Sequence, residues 1–154
     1  MEKERFLQRS AAQVYLVRDN DSKTEMLLAQ RCGDKLDLAN GSWDVAGGHC
    51  NEGESFIQAA QRNAKKELCV SFDTKDIKFT TIVHVGKQNI VGLQYICAHF
   101  FIDKWNGTPK IGESEKMANL TWQDINNLPA NLNFDRAEAI KNYLTKTGYS
   151  EIGF

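Results

Sequence analysis

Two hydrophobic periods alternate along the chain. Between Ser10 and Val17, Ala12, Val14 and Leu16 fall on one side and Gln13 and Tyr15 on the other; this two-residue period predicts a strand. Asp19 to Ser22 is a turn cluster, and Met26 to Arg31 reads as a second strand paired with the first. Residues 33–42 are polar and glycine-containing, a loop, and the short apolar segment Trp43 to Ala46 runs into Gly47-Gly48. The period then becomes helical: Ile57, Ala60, Ala64 and Leu68 share a face, Ser55 and Gln58 form a capping-box pair, and the helix runs to about Cys69. Alternation returns from Asp76 to Val85 and from Leu93 to Ile102, with a short strand at Leu120 to Trp122. Gln123 to Leu128 reads as a helical turn ended by Pro129. Asn133 caps a last helix, Phe134 to Lys146, with Ala137, Ile140, Tyr143 and Leu144 as its buried stripe and Gly148 as its stop. The tail from Tyr149 to Phe154 ends apolar and is expected to pack back on the body. Strands and helices do not strictly interleave, so the expected class is α+β, a mixed curved sheet flanked by helices, in a single domain over 1–154.

Composition narrows the partners. With 25% charged residues and a net charge of −1, no strong field favours nucleic acid or a membrane surface. No apolar run approaches the ~20 residues of a membrane span, and Met1 to Phe6 carries no apolar signal region, so a soluble, cytoplasmic protein is expected. None of the four cysteines is spaced as Cys-x-x-Cys. Cys69 and Cys97 read as small buried hydrophobes, and Cys50, with no flanking cation, as unreactive.

The chemistry concentrates around the glycine pair. Asn63, Lys66 and Glu67 have the i, i+3, i+4 spacing that puts side chains on one side of a helix, away from Ala60 and Ala64. They are expected to project together towards the acidic loop from Gly47 to Glu54. Adjacent glycines permit close approach of another backbone or a ligand. A hard cation there would want carboxylates, whereas Asn63, Lys66 and Glu67 sum to zero charge.

Gly48, Glu54, Arg62, Ala64, Glu67 and Val70 fall at the spacing of the Nudix box, and the stretch resembles that motif over 23 residues. Arg31, Trp43, the Trp105-x-Gly107-x-Pro109 turn, Leu120-Thr121-Trp122 and the ending Tyr149 to Phe154 are similar to features of bacterial Nudix proteins. The resemblance implies a Nudix α/β/α sandwich. It also implies cleavage of a phosphoanhydride in a nucleoside diphosphate-linked or triphosphate substrate, with Mg²⁺ or Mn²⁺. It points to Glu67 as catalytic and metal-ligating, Glu54 as a supporting metal ligand, and Glu115 as a catalytic carboxylate from outside the box. Arg31, Gly47, Gly48, Arg62 and Lys66 are the expected substrate contacts, and the expected partner is a small nucleotide or other diphosphate, bound by a monomer or homodimer. Asn63 and Lys66 stand where the family has glutamates, Cys69 where it has the helix-ending glycine, and Ala46 where proline is common. Reduced metal affinity follows, and so does an alternative: a catalytically inactive Nudix domain acting as a nucleotide sensor or interaction module.

Overall fold

The computed structural model describes residues 4–33 and 40–154; most of the expected 33–42 loop lies outside them. The elements are β1 (Arg9–Asn20), β2 (Lys23–Arg31), β3 (Trp43–Asp44), β4 (Ala46–His49), α1 (Phe56–Leu68), β5 (Ile77–Val85), β6 (Tyr95–Ile102), β7 (Met117–Asp124), α2 (Phe134–Thr145) and β8 (Tyr149–Ile152). The sheet runs β3-β2-β1-β6-β5-β8, with β4 on β1 and β7 on β2. It is mixed: β1 with β6 and β5 with β8 are parallel, and the other pairs are antiparallel. The α+β expectation holds, and the apolar tail packs back as edge strand β8.

The alternation of β1 has a purpose that only the layers reveal. Ala12, Val14 and Leu16 join Ala60, Ala64 and Leu68 of α1 in one core. Tyr15 and Val17 join Ala139, Ile140 and Tyr143 of α2 in another. Both faces of the strand are therefore buried, as expected of a central strand with a helix on each side.

Local chemistry sets the helix ends. Ser55 Oγ accepts from Gln58 N while Gln58 Oε1 accepts from Ser55 N, completing the capping box at α1; such caps contribute about 1 kcal/mol. The helix stops at Cys69, which adopts the left-handed conformation with φ 58° and ψ 31° and is half-buried rather than core. That conformation costs an L-residue roughly 1 kcal/mol relative to glycine.

Three local expectations are corrected. Gln123 and Asp124 extend β7, and residues 125–127 form a turn rather than a helical one, because β7 pairs with β2 as far as Asp124. The buried side of α2 is Asp135, Ala139, Ile140, Asn142 and Tyr143; Ala137 is exposed and Leu144 is 51% exposed. The polar Asp135 and Asn142 rotate that face because they find partners in the sheet. Asn133 occupies the N-cap of α2 but makes no side-chain cap hydrogen bond.

Candidate active site

β1 holds the site in place. Its residues 11–14 pair with β4 and its residues 17–20 with β2, so the two partners diverge from one edge and leave a cleft between them. Gly47 lies opposite Gln13 in this register, and a Cβ there would come within 2.0 Å of Gln13 Oε1 and 2.4 Å of the Ala12 carbonyl. Only glycine permits that approach. The amide of Gly47 then donates to Glu67 Oε2 at 2.9 Å. Gly48 faces Asn63, whose Oδ1 would sit 3.2 Å from an added Cβ.

The three helix residues expected to act together separate. Asn63 and Glu67 are buried and turn towards β4. Asn63 Nδ2 donates back to the Ala59 carbonyl at 2.9 Å. Lys66 diverges outward, its Nζ 3.5 Å from Glu113 Oε2. Lys116 Nζ meets the same oxygen at 3.4 Å. Glu113 is buried, its Oε1 has no partner, and both lysine side chains are more than half exposed.

Of the two carboxylates in this acidic loop, Glu113 and Glu115, the sequence favours Glu115 as the outside carboxylate. Glu115 is exposed, whereas Glu113 turns inward. The reason is the path of the preceding loop. Lys110 N and Gly112 N donate to the Leu68 and Glu67 carbonyls, capping the end of α1. A Cβ on Gly112 would lie 2.1 Å from the Lys66 carbonyl oxygen. The bare glycine lets the loop hug the helix, and the next residue, Glu113, is the one delivered to the site.

Arg62 is committed to the loop. Its Nε and Nη2 bind Glu54 Oε1 and Oε2 at 2.7 and 3.0 Å, and Nη2 also donates to the His49 carbonyl at 2.9 Å. Glu54 Oε2 further accepts from Asn51 N. The Arg62 hydrogen bonds, then that of Asn51, hold the Glu54 carboxyl at a pKa of about 2. Both oxygens of Glu54, the expected supporting metal ligand, are engaged in folding the loop. Arg62, expected as a substrate contact, is its partner.

Glu67 has the opposite electrostatics. Burial raises its pKa to about 7, opposed by the Gly47 hydrogen bond and reinforced by the charges of Glu113 and Asp44. It is a carboxylate tuned to neutral pH inside a cleft. Arg31 ends β2 nearby, with Nη1 3.5 Å from Asp44 Oδ2.

Behind Asp44 lies a second group of ionisable residues, on the α2 face. Arg136 binds Asp44 Oδ1 at 2.7 Å and also Asp135. Tyr95 OH donates to Asp135 Oδ2, and Tyr15 OH lies 2.8 Å from His99 Nδ1. Cys97, His99 and Asp135 bring ligand atoms within 4.8 Å of one another. Asp135 is nevertheless engaged by Arg136 and Tyr95, so the guanidinium already supplies the cation there. The rings of Trp43 and Tyr95 pack against this core, and Phe100 belongs to the opposite one. Trp105 and Trp122 line one cavity and Phe134 another. The latter cavity, of about 480 Å³, is bounded by Ser42, Ile90, Val91, Asn131, Asn133 and Phe134. Asn133 Oδ1 is buried and has no partner.

A divalent ion prefers several carboxylate oxygens. At α1 it would meet the Asn63 amide, one Glu67 oxygen already bonded to Gly47, and Glu113 matched by two ammonium groups. This donor set does not fit a resident divalent ion held by the helix.

A family model described as the NUDIX domain matches residues 7–143. The fold is similar to that of a MutT NUDIX hydrolase from Burkholderia pseudomallei, with TM-score 0.70 and 21% identity over 88% of this chain and 98% of that one. It is also similar to the NUDIX domain of Shewanella oneidensis NrtR complexed with ADP ribose, with TM-score 0.70 and 17% identity over 92% and 89% of the two chains. A C. elegans Ap4A hydrolase matches with TM-score 0.66 and 16% identity over 90% of this chain and 96% of that one. A search of curated protein sequences finds no significant match.

Proposed function

Because the chain belongs to the Nudix family, we propose that it hydrolyses the phosphoanhydride bond of a diphosphate-linked nucleoside, with Glu67 as the base. The observation that carries this is Glu67 itself: buried, fixed by the Gly47 amide, and titrating at about 7. A base of that strength is half ionised at neutral pH and still strong enough to accept a proton from water. Water attacks phosphorus, the new O–P bond forms as the bridging P–O bond breaks, and the water proton passes to Glu67. Lys66 and Lys116 supply positive charge beside the phosphates. Nudix hydrolases typically use divalent metals; the expected Mg²⁺ or Mn²⁺ finds too few free carboxylates on α1. Asn63 and Lys66 thereby support slow turnover.

We assign the nucleoside to the cavity of about 480 Å³ lined by Ser42, Asn133 and Phe134. Phe134 offers a ring face to the base. Arg31 at the end of β2 serves the phosphates.

The test is a panel of ADP-ribose, dinucleoside polyphosphates and nucleoside triphosphates, incubated with Mg²⁺, with Mn²⁺ and with chelator. Phosphate release above a Glu67→Gln control is expected for at least one compound. Its absence throughout, with ligand binding retained, selects the second reading, a nucleotide-binding Nudix domain without catalysis. That reading is favoured by one feature, the Asn63 amide turned back onto the Ala59 carbonyl.

A further inference from the structure

We propose that Lys66 and Lys116 make this site a metal-independent diphosphate receptor, their two ammonium groups acting where a divalent cation would otherwise be required. The inference rests on the box cleft being the phosphate site and is independent of turnover there.

Four features carry it. The two ammonium groups arrive from different elements, Lys66 from α1 and Lys116 from the residue before β7, and converge on one oxygen, Glu113 Oε2, at 3.5 and 3.4 Å. Two lysines on a single carboxylate leave one positive charge unmatched by Glu113. Both side chains are more than half exposed, so each can exchange that oxygen for a ligand oxygen at little cost in burial. Glu113, by contrast, is buried and cannot follow them outward. It serves as the placeholder that keeps both ammonium groups at the mouth of the cleft.

The chemistry selects the ligand. An ammonium is a compact point charge with three donors, and hydrogen bonds from it to phosphate oxygens are charge-assisted. A single carboxylate brings one negative charge to the pair; a diphosphate brings more, on two adjacent phosphoryl groups that can engage one lysine each. Diphosphate therefore displaces Glu113. A monophosphate or a neutral nucleoside gains less, because one lysine is left on Glu113. A divalent cation entering the same place is repelled by both ammonium groups, so it adds nothing to ligand affinity.

The experiment is calorimetric titration of the full chain with inorganic pyrophosphate and with ADP-ribose, in chelator and then in excess Mg²⁺. Expected results are binding in chelator, less than twofold change on adding Mg²⁺, and weakening by at least tenfold in Lys66→Ala combined with Lys116→Ala. Inorganic phosphate should bind at least tenfold more weakly than pyrophosphate. Affinity should also fall as potassium chloride is raised, since exposed ammonium groups are screened. Both substitutions are at exposed positions, and an unchanged melting temperature establishes that the double variant is folded. Binding seen only with Mg²⁺, unaltered affinity in the folded double variant, or no pyrophosphate binding in either buffer overturns the proposal. Mg²⁺-dependent binding with turnover sinks this inference and leaves the hydrolase standing; binding in chelator without turnover does the reverse.

Discussion

The two helices cover ionisable groups on opposite faces of one sheet, and the two groups have opposite characters. Under α2, Asp44, Asp135, Arg136, Tyr95, Tyr15 and His99 are packed so that each polar group has a near partner, apart from His99 Nε2. Burial raises the Asp135 pKa, but the Arg136 guanidinium more than offsets that and holds the carboxyl ionised. Burial, opposed by the charge of Asp135 and aided by that of Arg136, pushes His99 down to about 3 and keeps it neutral. Under the end of α1, Glu67 and Glu113 are buried while their cations, Lys66 and Lys116, stay in solvent. A sealed network with matched charges serves the fold. A buried acid whose counter-ions can leave is free to serve a ligand.

The largest expected effect breaks the sealed side. Arg136→Ala strands Asp135 without its cation and leaves Asp44 with Arg31 alone, and losing one partner of a buried pair costs about 3–5 kcal/mol. Urea unfolding should show it; a loss below roughly 1 kcal/mol would mean that water reaches these carboxylates. On the open side, Glu67 carries a pH dependence of definite sign. Its folded pKa, about 7, lies above the ordinary 4.5. The folded state therefore holds the extra proton between those values, and stability falls as pH rises from 4.5 through 7 by on the order of 3 kcal/mol. Glu67→Gln should flatten that dependence and lower turnover by about 10²–10⁴-fold. Activity of the parent, which needs the ionised carboxylate, should rise through pH 7 as stability declines.

A smaller effect converts the open side towards a metal site. Asn63→Glu with Lys66→Glu should raise Mn²⁺ affinity by at least tenfold, about 1.4 kcal/mol, in a titration followed by paramagnetic resonance. Unchanged affinity would show that Lys116 alone repels the ion. The smallest is Cys69→Gly, which relieves the left-handed residue at the end of α1 and should stabilise by about 0.5–1 kcal/mol, read from thermal melting at pH 7.

Much of this arrangement was legible beforehand. The capping box at Ser55 and Gln58, the alternation of β1 and the spacing from Gly48 to Val70 all rest on neighbours within a few positions, where period and turn chemistry dominate. Asn63 and Glu67 were placed towards the glycine loop for the same reason. The errors came from contacts between distant segments. Lys66 left its expected companions because Glu113, brought in by Gly112, offered it a charge. Glu54 is paired with Arg62, eight residues further along the chain. The stripe of α2 turned because Asp135 and Asn142 found partners, Asn142 Nδ2 donating to Thr81 Oγ1 and Ser150 Oγ.

The amino-acid order alone therefore settles the family and the class of fold, since box spacing and hydrophobic period are properties of one chain read locally. It also settles that the helix carries one carboxylate where three would make a metal site. Which carboxylate joins Glu67, which ions neutralise it and which face stays open were decided by the folded structure. Charge pairing depends on distance and burial, and both are set by how the Gly112 loop, β4 and the end of α1 meet in space.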